Sequence, residues 1–131
     1  MNKILVAEDN PVNLELLREI LEAGQYQVVE AGDGLEALAK IEENQPDLVL
    51  LDINMPVLDG FGAIRQIRAQ PRYSRLPVVA VTAYAMKDDR ERILAAGFNG
   101  YVSKPIDAAA LLRELQQLKE LSNGTQSVDC R

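Results

Sequence analysis

Five times along the chain a short apolar run is followed by a stripe of apolar residues at helical spacing, and that alternation admits few folds. KILVA (residues 3–7), LVLL (48–51) and VVAV (78–81) are unbroken apolar runs, as in strands covered on both faces. YQVVEA (26–31) and GYVS (100–103) are more polar, as strands at a sheet margin are. Leu14, Leu17, Ile20 and Leu21 mark a first helix, and Leu35, Leu38 and Ile41 a second. Ile64, Ile67 and Arg68 continue a third pattern, and DDRERILAAG (88–97) forms a fourth that stops at Gly97. Leu111, Leu112, Leu115 and Leu118 give the last helix its stripe. Start signals agree: Asn10 precedes Pro11, and Asp33 stands three residues before Glu36 as a capping box. The expectation is an α/β fold of five βα units, a doubly wound parallel sheet with helices on both faces and right-handed crossovers.

With 131 residues the chain holds one domain, assigned to residues 1–121. The remainder, SNGTQSVDCR (122–131), is polar and aperiodic and is expected to be a disordered tail, too short for an output domain. A net charge of -6 argues against a nucleic-acid or anionic-membrane surface. MNKILVAEDN is too short for a signal-peptide core, and no other stretch approaches transmembrane length. The lone Cys130 cannot form an internal disulfide, which suits a reducing compartment. A cytoplasmic protein is expected.

In an open parallel sheet the reactive crevice lies beyond the carboxyl ends of the strands. Glu8 and Asp9 follow the first strand, Asp52 the third, Thr82 the fourth and Lys104 the fifth. Three carboxylates, a hydroxyl and an ammonium are therefore expected along one sheet edge. Asn10 is available to cap the first helix and the Asp59-Gly60 pair to make the next turn, which frees Asp9 and Asp52 for chemistry. Pro105 restricts Lys104 to extended backbone. Clustered acids repel one another unless a cation sits among them. Mg²⁺ suits such a site, since it takes carboxylate oxygens, keeps waters and accepts phosphate oxygens. A carboxylate beside it is a competent nucleophile toward a phosphoryl group, and Asp52 is placed for that role.

VAEDN (6–10), LVLLDINMPVLDG (48–60), VVAVTAYA (78–85) and GYVSKPI (100–106) occur in order after successive strands. In these segments the chain resembles the response-regulator receiver domains of two-component signalling, over residues 3–121. The resemblance implies strand order 2-1-3-4-5 and Asp52 as phosphoacceptor. It implies Mg²⁺ held by Glu8, Asp9, Asp52 and the backbone carbonyl of Asn54, with Thr82 and Lys104 on the phosphoryl oxygens. It makes Thr82 and Tyr101 the switch pair, and the surface of the fourth and fifth βα units the output face. Asn54 and Tyr84, two residues beyond Asp52 and Thr82, are placed to tune dephosphorylation. The implied partners are a sensor histidine kinase or His-phosphotransfer protein as donor and a downstream protein target. The expected oligomeric state is a monomer or a weak, phosphorylation-dependent dimer. The expected product is a phosphorelay component and not an enzyme with outside substrates.

Three other readings are weaker. A phosphatase with an aspartyl-phosphate intermediate would carry a second Asp two residues after the first; Asn54 stands there, and the chain has no His to replace it. A flavin-binding module needs a neutral phosphate cradle after the first strand, where EDNPVN places two carboxylates. A pseudo-receiver used only for protein contacts is opposed by the complete set of site residues.

Overall fold

The computed structural model describes residues 3–83 and 87–128. Strands and helices alternate as β1 (Lys3–Ala7), α1 (Pro11–Ala23), β2 (Gln27–Ala31), α2 (Gly34–Asn44), β3 (Leu48–Asp52), α3 (Gly60–Ala69), β4 (Val78–Thr82), α4 (Lys87–Ala96), β5 (Gly100–Ser103) and α5 (Ala108–Val128). Among the described residues a 3₁₀ turn at Pro71–Tyr73, between α3 and β4, is the one element added to this alternation. Among the described residues no helix is long and apolar enough to cross a membrane.

All strand pairings are parallel and the order is β2-β1-β3-β4-β5, as expected. β1 therefore has neighbours reached by connections running in opposite directions, and a crevice forms where they part. The apolar runs divide by strand parity. Ile4, Val6, Leu48, Leu50, Val79 and Val81 face Leu17 and Leu21 of α1 and Leu111, Leu115 and Leu118 of α5. Leu5, Ala7, Val49, Leu51, Val78 and Ala80 face the other way, onto Ala37 and Ile41 of α2, Ile64 and Ile67 of α3 and Ile93 of α4. Both faces being covered explains why β1 after Lys3, β3 before Asp52 and β4 before Thr82 carry no polar residue.

Helix starts follow the cap signals. Asn10 Oδ1 accepts from the Val12 and Asn13 amides ahead of Pro11. Asp33 Oδ1 accepts from the Glu36 amide, and Glu36 reaches back to the Gly32 amide, one residue before the cap. Asp59 caps α3 through the Gly62 amide. Next to it, a Cβ on Gly60 would lie 2.7 Å from the Asp52 carbonyl oxygen and 2.6 Å from Ile53 Cα. Only glycine lets α3 begin that close to the end of β3.

Arg68 is more than the continuation of a helical pattern. Its guanidinium donates to the carbonyls of Gly97, Tyr73 and Leu76 and to Asn99 Oδ1, tying the end of α3 to the loops before β4 and β5. Asn99 Oδ1 also accepts from the Val78 amide, so this knot sets the start of β4. The acceptors are neutral, and burial lowers the Arg68 pKa. The carbonyl ends of α4 and the 3₁₀ turn supply the partial negative charge that a carboxylate would otherwise provide.

One boundary differs from the sequence reading. The backbone of α5 stays helical to Val128, where a disordered tail was expected from residue 122; residues 129–131 lie outside the described set. No proline occurs in that stretch, and Gly124 alone costs a helix about 1 kcal/mol, too little to end it.

Candidate functional site

The expected residues meet at the carboxyl edge of the sheet. Asp52 is the last residue of β3 and Thr82 the last of β4, and both are buried. Glu8, directly after β1, is only 1% exposed, whereas Asp9 beside it is exposed. Lys104 follows β5, its amide bonded to the Thr82 carbonyl at 2.8 Å, and the Lys104–Pro105 peptide is cis. Its ammonium lies 3.0 Å from Asp52 Oδ2 and 3.4 Å from Glu8 Oε1. The remaining oxygens take backbone donors: the Asn54 amide donates to Asp52 Oδ1 at 3.1 Å and the Asn10 amide to Glu8 Oε2 at 3.2 Å. One cation and two amides thus replace the water that Asp52 and Glu8 have lost, which lets a buried strand end on a carboxylate.

The replacement is incomplete. Two buried carboxylates share one ammonium, with a third carboxylate at the rim. Burial is the main reason the Glu8 pKa rises from 4.5 to about 7, with the neighbouring Asp52 carboxyl and its charge adding to it. The Asn10 amide and Lys104 act against that rise without cancelling it. For Lys104, burial is the largest single influence and lowers the pKa. The Asp52 hydrogen bond, the Asp52 charge and Glu8 together outweigh it, so the ammonium is held above its ordinary range.

The donor set fits a hard divalent cation. One oxygen each from Glu8, Asp9 and Asp52 lies within 4.8 Å of the others. Glu8 Oε1 is buried and accepts no hydrogen bond of normal geometry, its contact with Lys104 being a longer ion pair. An all-oxygen group of this kind, without Cys or His, selects Mg²⁺ or a similar ion over softer metals.

The remaining sequence candidates fall into three groups. Asn54 is exposed two residues beyond Asp52. Tyr101 stands opposite Ala80 in the ladder, so it shares a sheet face with Ala80 and Thr82, half-buried against the core of α3 and α4. Tyr84 lies outside the described residues. Beside Asn54 and Thr82 a cleft of about 220 Å³ opens between Phe61 of α3 and Arg92 and Ile93 of α4. Arg90 is a contact that sequence reasoning missed: its guanidinium donates to the Tyr101 hydroxyl at 3.1 Å. In sequence it belongs to a mixed-charge helix face, and nothing in the spacing singles it out.

The comparisons with known proteins agree with this geometry. The family model of the response regulator receiver domain matches residues 4–116. The polar-differentiation response regulator DivK of Brucella anthropi is 37% identical over 113 residues, 86% of this chain and 92% of DivK. Among solved structures, the receiver domain of a sensor histidine kinase from Pseudomonas aeruginosa is 43% identical with a TM-score of 0.81. The match covers 88% of this chain and 95% of that one, which has a magnesium ion coordinated in its active site cleft. The receiver domain of the Saccharomyces cerevisiae response regulator Ssk1, co-crystallised with the histidine phosphotransfer protein Ypd1, is 28% identical with a TM-score of 0.81. That match covers 86% of this chain and 85% of the other. The fold, the edge-of-sheet acids and these matches all point one way: the chain belongs to the family of response regulator receiver domains.

Proposed function

We propose that this protein accepts a phosphoryl group on Asp52, in a Mg²⁺-dependent reaction, from a histidine kinase or a His-phosphotransfer protein. The observation that carries the reading is a buried Asp52 facing both an acidic oxygen cluster and the Lys104 ammonium. A nucleophile, a metal-binding set and a cation are then within reach of one transferring group.

Glu8, Asp9, Asp52 and the Asn54 carbonyl would hold the metal. When bound, Mg²⁺ neutralises charge among the acids and on the phosphoryl oxygens. Asp52 attacks phosphorus through a carboxylate oxygen, the oxygen–phosphorus bond forms as the donor's phosphorus–nitrogen bond breaks, and the imidazole leaves with the electron pair. Lys104 passes from the Asp52 carboxylate to a phosphoryl oxygen, and the Thr82 hydroxyl donates to another. A charge pair at 4 Å is worth about 4 kcal/mol at an effective dielectric of 20. A hydrogen bond to a charged group adds about 1.5–3 kcal/mol. Moving a two-state surface from 1:99 to 99:1 takes about 5.5 kcal/mol of difference between the states. Lys104 already pairs with Asp52 before transfer, so its contact cannot supply that alone and the Thr82 contact is needed as well.

Thr82 and Tyr101 form the proposed switch, and the surface of α4, β5 and α5 the output face toward a partner protein or a relay. We assign this unit to residues 1–121 in the cytoplasm, as a monomer or a weak dimer upon phosphorylation. It acts as a phosphoacceptor with slow self-hydrolysis tuned by Asn54 and Tyr84, not as an enzyme on outside substrates.

The test is intact mass after incubation with Mg²⁺ and a small-molecule phosphodonor. The expected result is one added phosphoryl group, lost with chelator and in Asp52→Asn. No addition to folded wild-type protein would leave only a protein-contact role.

A further inference from the structure

Among its described side chains α4 buries one fully, Ile93, packs Ala96 partly against the core, and sets two arginines on aromatic rings. Arg92 lies 4.9 Å from the ring centroid of Phe61 in α3 and pairs with Asp89 at 3.6 Å. Arg90 reaches the opposite side. Its guanidinium carbon is 6.0 Å from the Tyr101 ring centroid, and its Nη1 donates to the Tyr101 hydroxyl at 3.1 Å. That hydrogen bond is exposed, so the hydroxyl is held at the solvent rim of the β5–α4 seam.

We infer that Arg90 is a latch that holds Tyr101 in the unphosphorylated arrangement and so sets how readily the Asp52 site can be engaged. The inference rests on the switch reading above, in which Tyr101 moves toward Thr82. Tyr101 and Thr82 share a sheet face, their strand positions two residues apart in the ladder. In the latch, the shift of the Tyr101 ring toward Thr82 breaks the hydrogen bond that its hydroxyl now accepts from Arg90. A bond made in this arrangement and lost in the other is what a population-shifting contact requires. Arg90 is exposed, so water solvates its charge once the bond is broken and the latch is weak. A weak latch leaves the switch reversible. Arg92, held by Phe61 and Asp89, stays with α3 and keeps the far side of α4 in place.

The test is a calorimetric titration with beryllium fluoride, a tetrahedral phosphoryl mimic, at saturating Mg²⁺. It uses wild type, Arg90→Met, which keeps the aliphatic stem, Arg90→Ala, Tyr101→Phe and the Arg90→Met/Tyr101→Phe double variant. Removing the exposed hydrogen bond from Arg90 to the Tyr101 hydroxyl is expected to tighten beryllium fluoride binding about two- to fivefold. Tyr101→Phe is expected to tighten it comparably, and Arg90→Met to add little in the Tyr101→Phe background, because the two changes remove one shared interaction. Mg²⁺ binding alone is expected to be unchanged by Arg90→Met.

Equal affinity in wild type and both Arg90 variants would overturn the latch. So would a full Arg90→Met effect in the Tyr101→Phe background, since Arg90 would then act elsewhere. A parallel change in Mg²⁺ affinity would show a general disturbance of the site and overturn it too. Failure of wild type to bind the mimic would instead refute the phosphoacceptor reading, and the latch with it.

Discussion

Glu8 makes the site's electrostatics measurable without any phosphodonor. Its pKa rises from 4.5 to about 7 on folding, chiefly through burial and then through Asp52. Between those two values the folded protein holds a proton on Glu8 that the unfolded chain has released. Stability therefore falls as pH rises across that window. The contribution of Glu8 is fully present below 4.5 and gone above about 7. At 1.36 kcal/mol per pH unit the loss is about 3 kcal/mol at most. Glu8→Gln copies the protonated form at every pH and removes the loss.

Urea unfolding in the presence of chelator, from pH 5 to pH 8, is the assay, and the difference between wild type and Glu8→Gln is the quantity read. Other titrating groups cancel in that difference. Glu8→Gln is expected to gain on wild type by about 2–3 kcal/mol between pH 5 and pH 8. Adding Mg²⁺ is expected to close most of that gap at pH 8, because a ligand of the folded state stabilises it by mass action. Parallel pH profiles for the two proteins would refute the reasoning, since Glu8 would then carry no excess proton in the fold.

Three further predictions concern the frame around the site. Arg68→Ala strips donors from the carbonyls of Tyr73, Leu76 and Gly97 and is expected to cost about 2–4 kcal/mol in urea unfolding, with Arg68→Lys recovering less than half. Gly60→Ala forces a Cβ against the Asp52 carbonyl and is expected to cost about 2 kcal/mol or more and to slow phosphoryl acceptance, read by denaturation and by intact mass. Val57 is exposed with φ +69, a left-handed backbone that a β-branched residue rarely adopts. Val57→Asn is expected to raise stability by about 0.5–1 kcal/mol, seen as a higher Tm.

What the sequence discloses here depends on how local the cause is. The strands were legible because both sheet faces are covered, which makes β1 after Lys3, β3 before Asp52 and β4 before Thr82 continuously apolar. The site was legible for a topological reason: in a parallel sheet every strand delivers its next residues to one edge, so Glu8, Asp9, Asp52, Thr82 and Lys104 had to converge. Caps at Asn10, Asp33 and Asp59 are set by neighbours a few residues away. Arg68 and Arg90 were not legible, because their partners lie 5 to 31 and 11 residues off, across turns that no periodicity fixes. The excess proton on Glu8 was equally hidden, since it depends on how deeply the residue is buried. The end of α5 was missed because the loss of an apolar stripe in sequence does not by itself end a run of helical backbone hydrogen bonds.

The central claim is that Asp52 receives the phosphoryl group, and the most direct measurement is to locate it. Protein phosphorylated with a small-molecule donor and Mg²⁺ is reduced with borohydride, which converts an aspartyl phosphate to homoserine, and the digest is mapped by mass spectrometry. Homoserine at position 52 and unmodified aspartate elsewhere is the predicted result. Homoserine at position 9, or a phosphoryl group that resists reduction on a serine or threonine, would contradict it.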